Sequence, residues 1–372
     1  MRSPGEVLRE MLAQNAWTQD ELALIMGVSR VSVANVIAGR SGITPEMASL
    51  LAAAFANDAA YWMQLDAQYR LGRISPDTSP VERRAHLFQI APIRDMQRRG
   101  WIAEDTDVDS IERELERFFG QPIHDRVPEF LVATRKTSIG PTNAAERAWC
   151  FEARRLASIF PVALFEPKKL PELATKLRRL AMFAKETRKV SKLLAEYGIR
   201  FVVVEPISGA KIDGAAFWMS EDAPVIAISI RFDRVDAFWF TLMHELAHIM
   251  HGDAYSVDSN LVGENSLTAT SSSNLAVIEQ RANEKAASLL IDQEDLNSFI
   301  RRVGPLYSKQ RIIQFAHVTK VHPGIIIGQL QHRGEISYGA NRDLLVKVRD
   351  IVIQTALTDG WGHFISPSSF ER

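Results

Sequence analysis

One cysteine in 372 residues cannot close an internal disulfide, nor supply the paired thiolates of a cysteine-based structural zinc site. Cys150 therefore points to a reducing compartment, and the cytoplasm is the expected location. Long apolar runs are missing too. Nothing approaches 18 consecutive apolar residues, and Met1-Arg2-Ser3-Pro4 leads straight into a polar helical pattern, so neither a membrane span nor a secretory signal is expected. Charge of one sign is scarce: 44 basic against 45 acidic residues leave a net charge of -1. Basic against acidic residues number 5 and 7 over residues 1–72, 24 and 18 over 73–200, and 15 and 20 over 201–372. A strongly basic head, which would argue for nucleic acid on electrostatics alone, is absent. Internal repeats and low-complexity tracts are also absent, Ser271-Ser272-Ser273 being only a short polar loop. With 46% hydrophobic and 24% charged residues, disorder is excluded as the main state, and the length favours two or three domains.

The first seventy residues carry the clearest helix signals. Ser3-Pro4-Gly5-Glu6 places a capping serine, a first-turn proline and a glutamate three residues after the cap, ahead of Val7, Leu8, Met11 and Leu12. Thr18-Gln19-Asp20-Glu21 repeats the capping box before Leu22, Ala23, Ile25 and Met26, and Gly27 stops that helix. Ser29 caps a third, with Val33, Val36 and Ile37 facing inward, and Thr44-Pro45 a fourth, with Met47, Leu50, Leu51 and Phe55 as its stripe. Four short helices with a tight turn at Gly27-Val28-Ser29 form a helix-turn-helix pattern. In that geometry the third helix enters the major groove with Arg30, Ser32 and Asn35 facing base edges, and Gln19 and Arg40 meet phosphates. A small helical bundle that only docks a protein is the alternative. The segment from SPGEVLREML through TQDELALIMGVSRVSVANVIAGRSGITPEMASLLAAAF to AAYWMQLDAQYRL resembles HigA-type antitoxins of the XRE helix-turn-helix class over residues 3–71. That resemblance implies a homodimer on a palindromic double-stranded DNA operator, often beside the gene it controls.

Residues 73–80, with Ser75, Pro76, Ser79 and Pro80, read as a linker. Beyond it, Val81–Met96, Val108–Phe119 and Ala144–Ile159 carry helix-period apolar residues between Pro and Gly punctuation. A helical spacer is expected, its alternating basic and acidic runs forming solvated faces.

Residues 238–252 read FWFTLMHELAHIMHG, an apolar helix holding His244-Glu245-x-x-His248. At about 100° per residue, positions i and i+4 differ by about 40°, so both histidines project from one face and can share an ion. Glu245 lies beside that face, where a carboxylate can take a proton from a metal-activated water. Burial would leave two imidazoles and a carboxylate unpaired, and a metal removes that difficulty. His251 is about 10.5 Å of rise beyond His244, too far to complete one tetrahedral site. Another element must supply the third ligand. Leu275–Ile291 has an apolar stripe through Leu275, Ile278, Ala282, Ala286, Leu289 and Leu290, and Glu279 falls inside it while Glu284 faces solvent. This singles out Glu279 over Glu264, Glu284 and Glu294; a buried glutamate paired with an arginine is the alternative.

FWFTLMHELAHIMHGD and, 31 residues after His248, EQRANEKAASLLI resemble the ImmA/IrrE-type metallopeptidases. The resemblance covers about residues 190–340, and the family's usual E-x-E-A-N-x-F-A-A-x-L-L pattern implies that Glu279 ligates the metal, Zn2+ or Mn2+. The sequence departs from it at Arg281, where a second acid is common, and at Lys285, where an aromatic is common. Ile199–Val204 and Val225–Ile230 read as strands joined through a turn at Ser220–Pro224, and Ala215–Trp218 is the expected edge for an added peptide strand. The expected architecture is mainly α, in an α+β chain. It comprises a helix-turn-helix bundle at 1–75, a helical spacer at 76–189, and a zincin-like domain at 190–372 with a small sheet and a metal-binding helix.

Two functions fit these residues. One is a DNA-binding transcriptional regulator or antitoxin with a zinc-dependent endopeptidase, Glu245 its base, cleaving a partner toxin or repressor. The other is a non-proteolytic antitoxin and autorepressor whose zincin-like domain only binds or senses. The presence of Glu245 favours the first and the antitoxin-like head the second, while a transcription factor with an inert C-terminal domain leaves Glu245 and Glu279 together unexplained.

Overall fold

A computed structural model describes residues 2–73, 76–124, 126–130, 143–253, 255–259 and 274–361. Ser75, Glu264 and Ser271-Ser272-Ser273 lie outside them, as does the side chain of Leu275. The chain forms two compact units, Met1–Glu82 and Arg83–Arg372.

The first unit holds α1 (Pro4–Gln14), α2 (Gln19–Met26), α3 (Arg30–Ile37), α4 (Pro45–Phe55), α5 (Ala59–Leu71) and the start of α6 (Ser79–Ile90). Both capping boxes close: Ser3 Oγ and Thr18 Oγ1 accept from the backbones of Glu6 and Glu21, whose carboxylates accept in return from the cap N–H groups. Gly27, at φ 67°, makes the left-handed turn that aims α3 away from α2. Leu8, Leu22, Val33, Leu51 and Trp62 form the centre of the core. Trp62 arrives on α5, the fifth helix of a bundle expected to have four, and its indole N–H donates to Asn57. Ile25 is half exposed instead of buried, because it lies with Leu24, 84% exposed, on the face of α2 opposite Leu22, Ala23 and Met26.

In the second unit, Pro92 breaks the expected Val81–Met96 helix into α6 and α7 (Ile93–Arg98). There follow α8 (Val108–Phe119), α9 (Ala144–Ser158), α10 (Leu170–Leu180), α11 (Val190–Glu196), β1 (Arg200–Val203), β2 (Ile212–Trp218) and β3 (Pro224–Ile228). Then come α12 (Val235–His251), β4 (Tyr255–Ser259), α13 (Asn274–Leu290), α14 (Gln293–Val303), α15 (Lys309–Thr319), α16 (Pro323–His332), α17 (Arg349–Val352) and β5 (Leu357–Thr358). The strand order is β4-β2-β3-β1-β5, with β1 parallel to β3 and β5, and β2 antiparallel to β3 and β4.

Alternation along the strands divides the core. Phe201, Val203, Ala216, Ile226 and Ile228 meet α12 and the helices that follow it. Val202, Val204, Ala215, Phe217, Val225 and Ala227 meet α6 to α9. Burial on both faces explains why Phe201–Val204 is a continuous apolar run. Residues 83–158 of the segment expected as a spacer therefore form one of two helical layers around the sheet, α10 packs in the other, and no compact-unit boundary falls at 189/190. Trp149 reaches across this layer to donate to the Val204 carbonyl at 2.9 Å. The largely buried Arg99 donates to the carbonyls of Glu205 and Pro206 and to Asp359, tying the layer to the chain after β1 and β5. No helix among the described residues is long and apolar enough to cross a membrane.

Candidate functional site

α12 lies against the sheet with Leu242, Met243, Leu246 and Ile249 in the core, so the remaining face of the helix is fixed in direction. That face carries His244 and His248, both fully buried, with their Nε2 atoms 2.9 Å apart. α13 brings Glu279 opposite them, because Ala282 and Ala286 let the two helices approach closely. Glu279 Oε2 is 3.3 Å from His244 Nε2 and 3.7 Å from His248 Nε2. A tetrahedral zinc with bonds of about 2.0 to 2.1 Å sets neighbouring ligand atoms about 3.3 to 3.4 Å apart. The three observed separations bracket that value, and the donor set of two imidazoles and a carboxylate suits a divalent ion. His251 is not among the converging groups; burial holds its imidazole below the usual histidine pKa, as does the neighbouring Arg281.

Glu245 is also fully buried and does not join the converging three. Its carboxylate occupies the volume beside Gly214 of β2, where a Cβ would overlap Oε1 and stand 2.8 Å from Thr241 Cγ2. The missing side chain on β2 thus makes room for the carboxylate. Nothing in the strand pattern marks Gly214 for this, since the close approach arises only when α12 docks on the sheet.

A second residue that sequence reasoning left without a role is Asp253. Gly252, left-handed at φ 70°, ends α12 and turns the chain so that the Asp253 N–H donates to the His248 carbonyl. Asp253 Oδ2 lies 2.9 Å from His248 Nδ1, and Oδ1 accepts from Arg281 Nη2 at 2.7 Å. Burial alone would push this carboxyl upward; His248 and Arg281 outweigh it and hold the pKa below the ordinary aspartate value. Its only available signal was a carboxylate directly after the helix-ending glycine.

The expected strand-addition edge is corrected. β2 pairs on both sides, Ala215 with Ala227 of β3 and with Val257 of β4, so Ala215–Trp218 is interior and β4 forms the edge beside it. A five-residue strand that follows α12 so soon in the chain is invisible to a pattern that stops at the helix.

On the first unit, α3 presents Arg30, exposed, and Ser32 and Asn35, half-buried. Arg30 Nε is held 3.1 Å from Asp20 of α2, and Ser32 Oγ shares a 2.8 Å hydrogen bond with the capping Ser29. Gln19 opens α2, half-buried, and Arg40 is exposed just past α3, its N–H donating to the Asn35 carbonyl. The exposed Val31 stands beside Arg30 on the same helix.

Residues 8–62 match the helix-turn-helix family model, and residues 195–326 match that of the IrrE N-terminal-like domain. No curated protein matches the chain. Neither match specifies the HigA type or a zinc ion. The chain joins an XRE-type DNA-binding domain to an IrrE-like domain of a metallopeptidase family.

Proposed function

We propose that this fusion of a DNA-binding domain and a peptidase-family domain is a transcriptional regulator and antitoxin of HigA type that cleaves a partner toxin or repressor by metal-dependent endoproteolysis. The reading rests on one observation above all: Glu245, next in the chain to His244, carries a fully buried carboxylate that is not one of the three converging ligand groups. A site that merely stores or senses an ion needs no such neighbour.

His244, His248 and Glu279 would hold the ion, zinc or manganese. When bound, a divalent ion supplies Lewis acidity at a peptide carbonyl and eases deprotonation of a water. Glu245 accepts the water proton on its carboxylate and returns it to the departing amine, acting as base and then acid. Gly214 leaves the space in which that carboxylate sits, and α12, packed on the sheet, limits its movement. On the first unit, Arg30 and Asn35, with Ser32 beside them, face bases, and Gln19 and Arg40 contact phosphates. The half-sites of the operator would stand about one helical turn apart for a homodimer.

Glu245→Gln tests the enzymatic part. The variant should retain native metal content by elemental analysis and lose cleavage of the cognate partner by about 10² to 10⁴ in rate. Neutralisation of the partner in cells decides the biological role. If Glu245→Gln neutralises as well as the native chain, the protein works by binding alone and proteolysis is not its function.

A further inference from the structure

We propose that Arg281 is a positioning residue for the metal centre, acting through Asp253 to fix the imidazole of His248. The inference rests on the reading that His244, His248 and Glu279 hold the ion, and it assigns work to two residues outside that set.

A neutral imidazole has one N–H, so which nitrogen carries it decides which nitrogen can bind a metal. At 2.9 Å from a carboxylate oxygen, His248 Nδ1 must be the donor. Its Nε2 then presents a lone pair toward His244 Nε2 and Glu279 Oε2, the direction in which an ion would lie. This works only while the Asp253 carboxylate stays in place. Its side chain is only 14% exposed, and a carboxylate in that setting with one oxygen unpaired would rotate toward water. Arg281 occupies that other oxygen. The main chain of Asp253 is held as well, by Trp218 Nε1 on its carbonyl at 2.9 Å and by the His248 carbonyl on its N–H at 3.0 Å. The carboxylate thus has a fixed pivot and, among the described residues, Arg281 as the cation setting its direction.

Arg281 stands two residues after Glu279 on α13. One helix therefore delivers both a ligand and the brace for a second ligand, and docking α13 on α12 completes both together. An acid at position 281 would place two carboxylates against each other and turn Asp253 away from His248.

The test uses the full chain and zinc itself, with affinity measured by competition against a chromophoric chelator. The visible spectrum of the cobalt-loaded protein and the melting temperature of the metal-free chain are read in parallel. Asp253→Ala should weaken zinc binding about 10- to 100-fold. Arg281→Ala should weaken it about 10-fold, Arg281→Lys should recover most of that loss, and Arg281→Glu should equal Asp253→Ala. The double variant Arg281→Ala/Asp253→Ala should bind no more weakly than Asp253→Ala alone, since both act through one hydrogen bond. The cobalt bands should shift in Arg281→Ala, while the metal-free melting temperature stays close to native. Native affinity in Arg281→Glu, fully additive losses in the double variant, or a loss that follows metal-free melting and is not recovered by lysine each overturns the proposal. If Glu279→Ala keeps native affinity, or the native chain binds no zinc, the centre itself is misassigned and the inference falls with it.

Discussion

Gly214 and Glu245 compete for one small volume, so the size of a single strand residue controls the position of the proposed base. Gly214→Ala puts a methyl group where the carboxylate now sits. The atom displaced is the end of a side chain, so the fold survives with a loss of about 1 to 3 kcal/mol in denaturant melts. Partner cleavage should fall at least tenfold while zinc content stays native, a pattern opposite to that of a ligand substitution. Unchanged turnover would show that Glu245 has room to spare and needs no such vacancy. The difference between this residue and His244 or His248 also explains what was legible in the sequence. The two histidines lie one turn apart on one helix, so their convergence follows from the 3.6-residue period, and Glu279 follows from a carboxylate placed on an apolar stripe. Gly214 and Asp253 act through contacts that close only between elements, and no local rule marks them.

At the scale of elements, helix starts were legible because capping is chemistry within four residues: Ser3 with Glu6, and Thr18 with Glu21. Strand neighbours were not. β4 sits beside β2 because the chain turns back after Gly252, and a slip there moves the sheet edge from Ala215–Trp218 to the next strand. Helix α3 shows the same limit. Arg30, Ser32 and Asn35 were assigned to base edges from the helix-turn-helix pattern, yet Arg30 is shared with Asp20 of α2 and Ser32 with the cap of its own helix. Asn35→Ala and Arg30→Ala should each weaken operator binding by about 1 to 3 kcal/mol, measured by fluorescence anisotropy against a scrambled duplex. Asp20→Ala releases Arg30 from an exposed pair worth about 0 to 1 kcal/mol, and so should tighten binding by no more than that. Weaker binding by Asp20→Ala would mean that the pair orients Arg30 instead of restraining it.

At the scale of the whole molecule, the helices of 83–158 cover one face of a sheet whose first strand begins at Arg200. β1 also pairs in parallel with β5, more than 150 residues later. Pairings over such distances leave only amphipathic stripes in the sequence, which show that a helix buries a face but not what it is buried against. That is why residues 76–189 read as a spacer. The same organisation predicts how metal acts on stability. Both helices that carry the proposed ligands belong to the second unit, and an ion that binds only the folded state stabilises it by about 2.7 kcal/mol at a hundredfold excess over Kd. Calorimetry of the full chain should therefore show two transitions, of which chelator lowers only one. Leu51→Ala, which removes a fully buried side chain from the first unit at a loss of about 2 to 5 kcal/mol, should lower only the other. If chelator moves both transitions equally, the units melt together, and occupancy of the metal centre is linked to the stability of the DNA-binding unit.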